Sequence, residues 1–179
     1  MILILRGHIR ESFEDNNLLL LIEYIYKIYP DLTIYIHTWN VFSNNISWRN
    51  IKENNNDVNE EIIYDYFGKF RILIKHIIIG NDKNITLHGR TFGKLFNSSM
   101  PIVGWKNYWY GKYQITKYLY DNIENKDSPI INCRIDVLKN SFSFNVNNIL
   151  QFIYSNKNRK FIGNEFIFDK PKEGIDNIY

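Results

Sequence analysis

Ile2-Leu-Ile-Leu5-Arg-Gly-His8, then Leu18-Leu-Leu-Leu-Ile-Glu-Tyr-Ile-Tyr-Lys-Ile-Tyr29, then Thr33-Ile-Tyr-Ile36-His-Thr-Trp39 are the three runs that decide the fold. The first is short and apolar and ends in a polar loop, which reads as a buried strand. The second is apolar throughout and too long for a strand. With Pro30-Asp31 as its stop it reads as a buried helix. The third is β-branched and aromatic, a second strand. A strand, a helix and a strand joined by short links make an α/β unit with parallel strands.

Working outward, residues 40–60 are polar and rich in Asn, and predict a long surface loop with room for a helical turn. Glu60–Phe70 predicts a helix, Ile72–Ile79 a third strand closed by Gly80, and residues 81–100 a loop. Trp105–Ile123 predicts an amphipathic helix with Tyr108, Gly111, Ile115, Tyr118 and Leu119 on one face. Gly costs stability inside a helix, so Gly111 on that face points to a close neighbour. Ser128-Pro129 breaks the chain before a fourth strand, Ile130-Ile-Asn-Cys133, which runs into Arg134-Ile-Asp136. Ile149–Tyr154 fits a short helix or strand, and Phe161–Phe168 a final strand. The expected architecture is α/β, a mostly parallel open sheet flanked by helices, in one domain spanning 1–179. The uncapped end at Tyr179 suggests the N-terminal part of a longer protein.

The chain's 179 residues suffice for one domain with a real core. It holds 30 Ile and 25 Asn and no Ala, a bias that follows AT-rich codons and marks no function. The net charge of +3 is small and thinly spread, which argues against nucleic acid as the main partner. Cys133 is the single cysteine, so no intrachain disulfide forms, and a reducing, cytoplasmic setting is expected. No apolar stretch reaches the roughly 20 residues of a membrane span.

Common catalytic motifs are missing: no Gly-x-Gly-x-x-Gly, no Gly-Lys-Ser/Thr, no nucleophile elbow, no His-Glu-x-x-His and no Cys/His zinc pattern. What remains is polar residues at the C-terminal ends of the expected strands, where ligands of open α/β sheets bind. The first strand delivers Arg6, Gly7, His8 and Arg10, the second His37, Thr38 and Trp39, the fourth Arg134 and Asp136. Any one of them alone reads more simply as a surface charge or a packing residue, but three such clusters at successive strand ends carry more weight. If the segment is extended, Arg134 and Asp136 project to the same side. Asp136 then serves either as a ligand of Mg²⁺ or Mn²⁺ or as one half of a surface ion pair with Arg134.

The stretch Trp105-Lys-Asn-Tyr-Trp-Tyr-Gly-Lys-Tyr-Gln, then Tyr118-Leu-Tyr-Asp121, then Ile130-Ile-Asn-Cys-Arg-Ile-Asp136 resembles a recurring segment of glycosyltransferases from capsule, lipopolysaccharide and large-virus glycan clusters. In that group a strand ends in Arg-x-Asp where others carry Asp-x-Asp. Leu5–Arg10 and Ile34–Trp39 are similar to the group's first two strands, and Asn164–Pro171 is a weaker echo. The resemblance implies a GT-A-like, Rossmann-like domain that binds a nucleotide-diphosphate sugar and passes the sugar to a glycan or other acceptor. Asp136 would correspond to the metal-binding Asp, with Mn²⁺ or Mg²⁺ as the expected ion. Arg134 departs from the common pattern, removes one carboxylate, and could itself meet a phosphate. Gly7 and Arg10 would lie where the first loop cradles the nucleotide, with His37 and Trp39 beside the base or ribose. Lys112 is a phosphate candidate, or a solvated helix lysine. For an inverting reaction the general base would come from Asp169 or Glu165, with Asp169 preferred. Alternatives are a non-catalytic docking module of the same fold, and a nucleotidyltransferase.

Overall fold

The computed structural model describes residues 1–47, 51–125, 127–139 and 147. The expected helix or strand at Ile149–Tyr154 and the final strand at Phe161–Phe168, and with them Glu165 and Asp169, lie outside the described residues.

Four parallel strands form the central sheet: β1 (Ile2–Arg6), β2 (Thr33–Trp39), β5 (Ile74–Gly80) and β6 (Ile130–Arg134), in the order β5-β2-β1-β6. Alternation along the strands divides the side chains between two faces. Leu3, Leu5, Ile34, Ile36, Ile77, Ile131 and Cys133 enter the larger core. Helix α1 (Asn17–Ile28) covers it with Leu18, Leu21, Ile22 and Ile25, and α2 (Glu60–Phe67) adds Ile63 and Phe67. Ile2 and Ile4 turn the other way and meet Ile115 and Leu119 of α3 (Ile102–Asn122).

Helices thus lie on both faces, and the reason is topological. From β1 the chain steps through α1 to β2 and through α2 to β5, moving toward one edge. It then returns through α3 to place β6 on the far side of β1. Right-handed crossovers in opposite directions along a sheet must run over opposite faces. The direction reverses between β1 and β6, and the arrangement is compatible with a Rossmann-like fold. No described helix is long and apolar enough to cross a membrane.

Three expectations are corrected. The 40–60 interval is not all loop, because β3 (Val41–Ser43) pairs antiparallel with β4 (Asn54–Asp57). Strand β4 is fully exposed and nearly all Asn, a residue depleted in strands, so no side-chain pattern announced it. Backbone pairing holds it, aided by the Ser43 hydroxyl donating to the Lys52 carbonyl at 2.7 Å. Helix α2 stops at Phe67, and a 3-10 stretch (Gly68–Leu73) carries the chain to β5, which starts at Ile74. Helix α3 starts at Ile102, directly after Pro101, and not at Trp105. The α2 start follows its sequence: the Asn59 side chain caps the Ile62 N–H at 2.9 Å, and Glu60 and Glu61 face the positive end of the helix dipole.

The close approach inferred at Gly111 is present. Asn107, Gly111, Ile115 and Leu119 form the buried stripe of α3, and a Cβ on Gly111 would lie 2.6 Å from His37 Cε1. His37 is buried and hemmed in by Trp39, so its ring has little room to yield. Gly111→Ala should therefore lower stability by about 1–3 kcal/mol through overpacking, despite Ala's better helix propensity. Urea denaturation measures the difference, and a stabilised variant would contradict the contact.

Candidate functional site

β1 and β6 end side by side, with Arg6 opposite Arg134 in register and His37 of β2 opposite Arg6 on the other flank. Each strand end delivers a polar side chain to one crevice. Arg6 is buried, donates from Nε to Asn132 Oδ1 at 2.5 Å, and lies 4.7 Å from the centre of the Tyr108 ring. Helix α3 runs opposite to the strands, so its N-terminal half, with Asn107, Tyr108 and Gly111, borders the crevice.

After β1 the chain needs a backbone shape that few residues adopt. Gly7 has φ +102°, open to glycine and strained for any other residue, and its N–H donates to the His37 carbonyl at 3.0 Å. Arg10 has φ +53°, uncommon for a residue with a Cβ. Two contacts hold it there. Its N–H donates to the Phe42 carbonyl of β3 at 2.8 Å, and its guanidinium pairs with Asp136 Oδ2. Such strain persists where surrounding contacts over-determine the backbone, and it concentrates at functional sites.

Asp136 is the hub. It is 1% exposed, and both oxygens accept from guanidinium groups. Arg134 Nε donates to Oδ1 at 2.6 Å and Arg134 Nη2 to Oδ2 at 2.9 Å, a bidentate fork, while Arg10 reaches Oδ2 from the other loop. Arg134 and Asp136 do share a side, and the ion pair they form is buried instead of lying on the surface. Among the described residues, three guanidinium groups and the Asp136 carboxylate meet at the crevice.

The aromatic and imidazole groups form the second half of the site. Trp39 is buried, with His8 stacked at 5.9 Å, Tyr110 stacked at 6.4 Å and His37 edge-on at 5.2 Å. It is a packed wall and not an open stacking platform, because protein rings already meet it. Burial and the neighbouring Arg10 push the His8 pKa down to about 3. Burial pushes His37 down to about 4. Both imidazoles are therefore neutral near pH 7, each able to donate and accept. His8 Nε2, His37 Nε2, Thr38 Oγ1 and Asn107 Oδ1 are buried without a hydrogen-bond partner among the described residues. A buried polar atom left unpaired is costly. His8, His37 and Asn107 carry that cost near the crevice, whereas Thr38 faces the opposite, apolar layer beside Leu5, Ile36 and Phe67.

Arg10, Arg134, Asp136, Gly7, His37 and Trp39 thus collect at one edge, as the sequence reading expects. Lys112 lies over the Trp109 ring at 4.6 Å. Arg6 and His8, named at the end of β1 without a role, belong to the crevice together with Asn107, Tyr108 and Asn132. The only sequence signal for the first two was their place at the end of β1. Asn107, Tyr108 and Asn132 come into place through the packing of α3 and the pairing of β6. Cys133 is no nucleophile here, since burial pushes its thiol up to about 12.

The Mn²⁺ or Mg²⁺ that the resemblance implies meets a poor donor set in this arrangement. No group of three or more His, Cys, Asp or Glu side chains converges among the described residues, and the Asp136 oxygens are engaged by arginines. An ion there would have to displace a guanidinium. No protein-family model matches the chain, and no curated protein or solved structure matches it significantly.

The ion-pair hub has a stability consequence. Asp136→Asn leaves Arg10 and Arg134 buried without their counter-charge and should cost about 3–5 kcal/mol in chemical denaturation. Loss of under 1 kcal/mol would show that the pairs carry little. The histidines add a pH dependence. Their folded pKa values of about 3 and about 4 lie below the ordinary 6.5, so the unfolded chain binds the extra protons. Stability is full above about pH 6.5 and falls as pH drops toward 4. His8→Gln should flatten that slope, and an unchanged slope would remove His8 as its source.

Proposed function

We propose that this chain is a donor-binding domain of a GT-A-like glycosyltransferase, which takes a nucleotide-diphosphate sugar and passes the sugar to a glycan or other acceptor. The observation that carries the reading is the gathering of three guanidinium groups, Arg6, Arg10 and Arg134, at the point where the strand order reverses. That is where open α/β sheets bind nucleotides. The Arg-x-Asp segment of the resembling group stands at this same strand end.

In the reaction the bond from the anomeric carbon to the diphosphate oxygen breaks, and the acceptor oxygen forms the new bond. The departing diphosphate gains negative charge, and preorganised cations facing it lower the barrier. Arg10 and Arg134 fit this role. Each already grips a planar two-oxygen anion, and a phosphate presents the same two-oxygen edge. An arriving diphosphate competes with Asp136 for the two guanidinium groups. The charge falls on arginines, and no step depends on a metal held by Asp136. His8, His37 and Asn107 supply neutral partners for sugar or ribose hydroxyls. A base for the acceptor proton remains assigned to Asp169 or Glu165.

A second reading, a non-catalytic module of the same fold, is favoured by one observation. Asp136 is already saturated by its arginines, so the cluster is also a self-sufficient structural tie.

A thermal-shift panel of UDP, GDP, ADP and CDP, each with EDTA or with Mn²⁺, separates the readings. A ligand that binds only the native state raises the melting temperature. One nucleoside diphosphate should do so in EDTA, and Arg134→Ala should weaken its calorimetric affinity about tenfold or more. A shift that requires Mn²⁺ would return the ion to Asp136. Silence across the panel would favour the module.

A further inference from the structure

From Lys83 to Tyr120 the chain carries six Lys and Arg residues and no Asp or Glu. The overall charge is thinly spread, but this segment is of one sign. It comprises the loop after β5 and nearly all of α3, and the two are joined. The Ile102 N–H donates to the Gly93 carbonyl at 3.0 Å, Leu95 N–H to the Met100 carbonyl at 3.0 Å, and Lys106 Nζ to the His88 carbonyl.

The same segment exposes large aromatic side chains. Phe96 is 94% exposed and Phe92 72%. On α3, Trp105, Trp109 and Tyr113 follow at four-residue steps, so they share a face, and Tyr120 continues it one heptad on. That face is opposite the buried Asn107, Gly111, Ile115 and Leu119 stripe. Cations sit directly on these rings: Arg90 lies 4.6 Å from the Phe92 centre and Lys112 4.6 Å from that of Trp109. Monomeric soluble domains seldom present so many large apolar groups together unless the surface binds something.

We propose that this loop and the outer face of α3 dock the protein on an anionic lipid surface. Lys117 pairs with Asp121 at the end of α3, and the other five cations argue for a negatively charged partner. Phe92 and Phe96, exposed on a loop, suit insertion among acyl chains. Trp105, Trp109 and Tyr113 suit the interfacial zone, where one end of the ring is apolar and the other wet. Lys and Arg stems beside the rings cover apolar surface while their heads reach lipid phosphates. The protein lies on the bilayer and does not cross it. A nucleic acid would use the same charges, but it stacks bases on ring faces and gains little from phenylalanines at a loop tip.

The test is co-sedimentation of the full chain with vesicles of phosphatidylcholine alone or of equimolar phosphatidylcholine and phosphatidylglycerol. Binding is expected only to the anionic vesicles, with a blue shift of tryptophan emission. Phe92→Ser/Phe96→Ser should weaken it about tenfold or more, and Lys94→Glu/Lys112→Glu by at least as much. Circular dichroism confirms that both variants fold, and either one suffices if the other does not. The proposal is overturned if the anionic vesicles fail to bind, or if neither folded variant weakens binding. Preferential binding of single-stranded DNA oligonucleotides would reassign the face to nucleic acid. Self-association that buries the tryptophans would reassign it to a second copy.

Discussion

A single carboxylate holds the C-terminal edge of the sheet together. Asp136 follows β6, while Arg10 belongs to the loop after β1, so their pairing joins the two exits on either side of the reversal in strand order. Arg134 adds a fork to both oxygens of the same group. Without Asp136, Arg10 and Arg134 would repel each other in a buried crevice, beside Arg6. With it, the Arg10 backbone is held at a positive φ, and its N–H reaches the carbonyl of Phe42 in β3. The tie therefore also anchors the hairpin, which could not stand alone on exposed asparagines.

The tie can stabilise an empty site and serve a full one. Guanidinium groups that face a carboxylate are already desolvated and oriented, and little reorganisation is needed to receive a phosphate instead. The neutral imidazoles beside them serve the same end. Two more positive charges in this crevice would raise the cost of burial, and their depressed pKa values keep them uncharged. Under the proposed reading, the cations would face the anionic part of the ligand, and the neutral atoms left without a partner among the described residues would face its hydroxyls.

The strand ends were legible because parallel buried strands leave a plain trace, a short apolar run stopped by polar residues. β1, β2 and β6 could be placed to within a few residues, and so the residues they deliver could be named. The role of Asp136 was only half legible. The i, i+2 spacing gave its companion Arg134, but Arg10 is distant in sequence and meets it only through the pairing of β1 with β6. Trp39 shows the opposite limit. Its position at a strand end was clear, yet whether its face is open or covered depends on His8 and Tyr110, which arrive from other elements. The β3–β4 pair was invisible because its bonds are made by the backbone, which every sequence shares.

Sequence alone determined the alternation of strand and helix and the cluster of polar residues at the strand ends. These follow from local periodicity and from chain-stop residues, and both act over a few positions. Only the tertiary structure decided that the chain doubles back between β1 and β6, that Arg10 and Arg134 share one carboxylate, and that Gly111 makes room for His37. Each of these is a contact between segments far apart in the chain, and no local pattern specifies which distant segments meet.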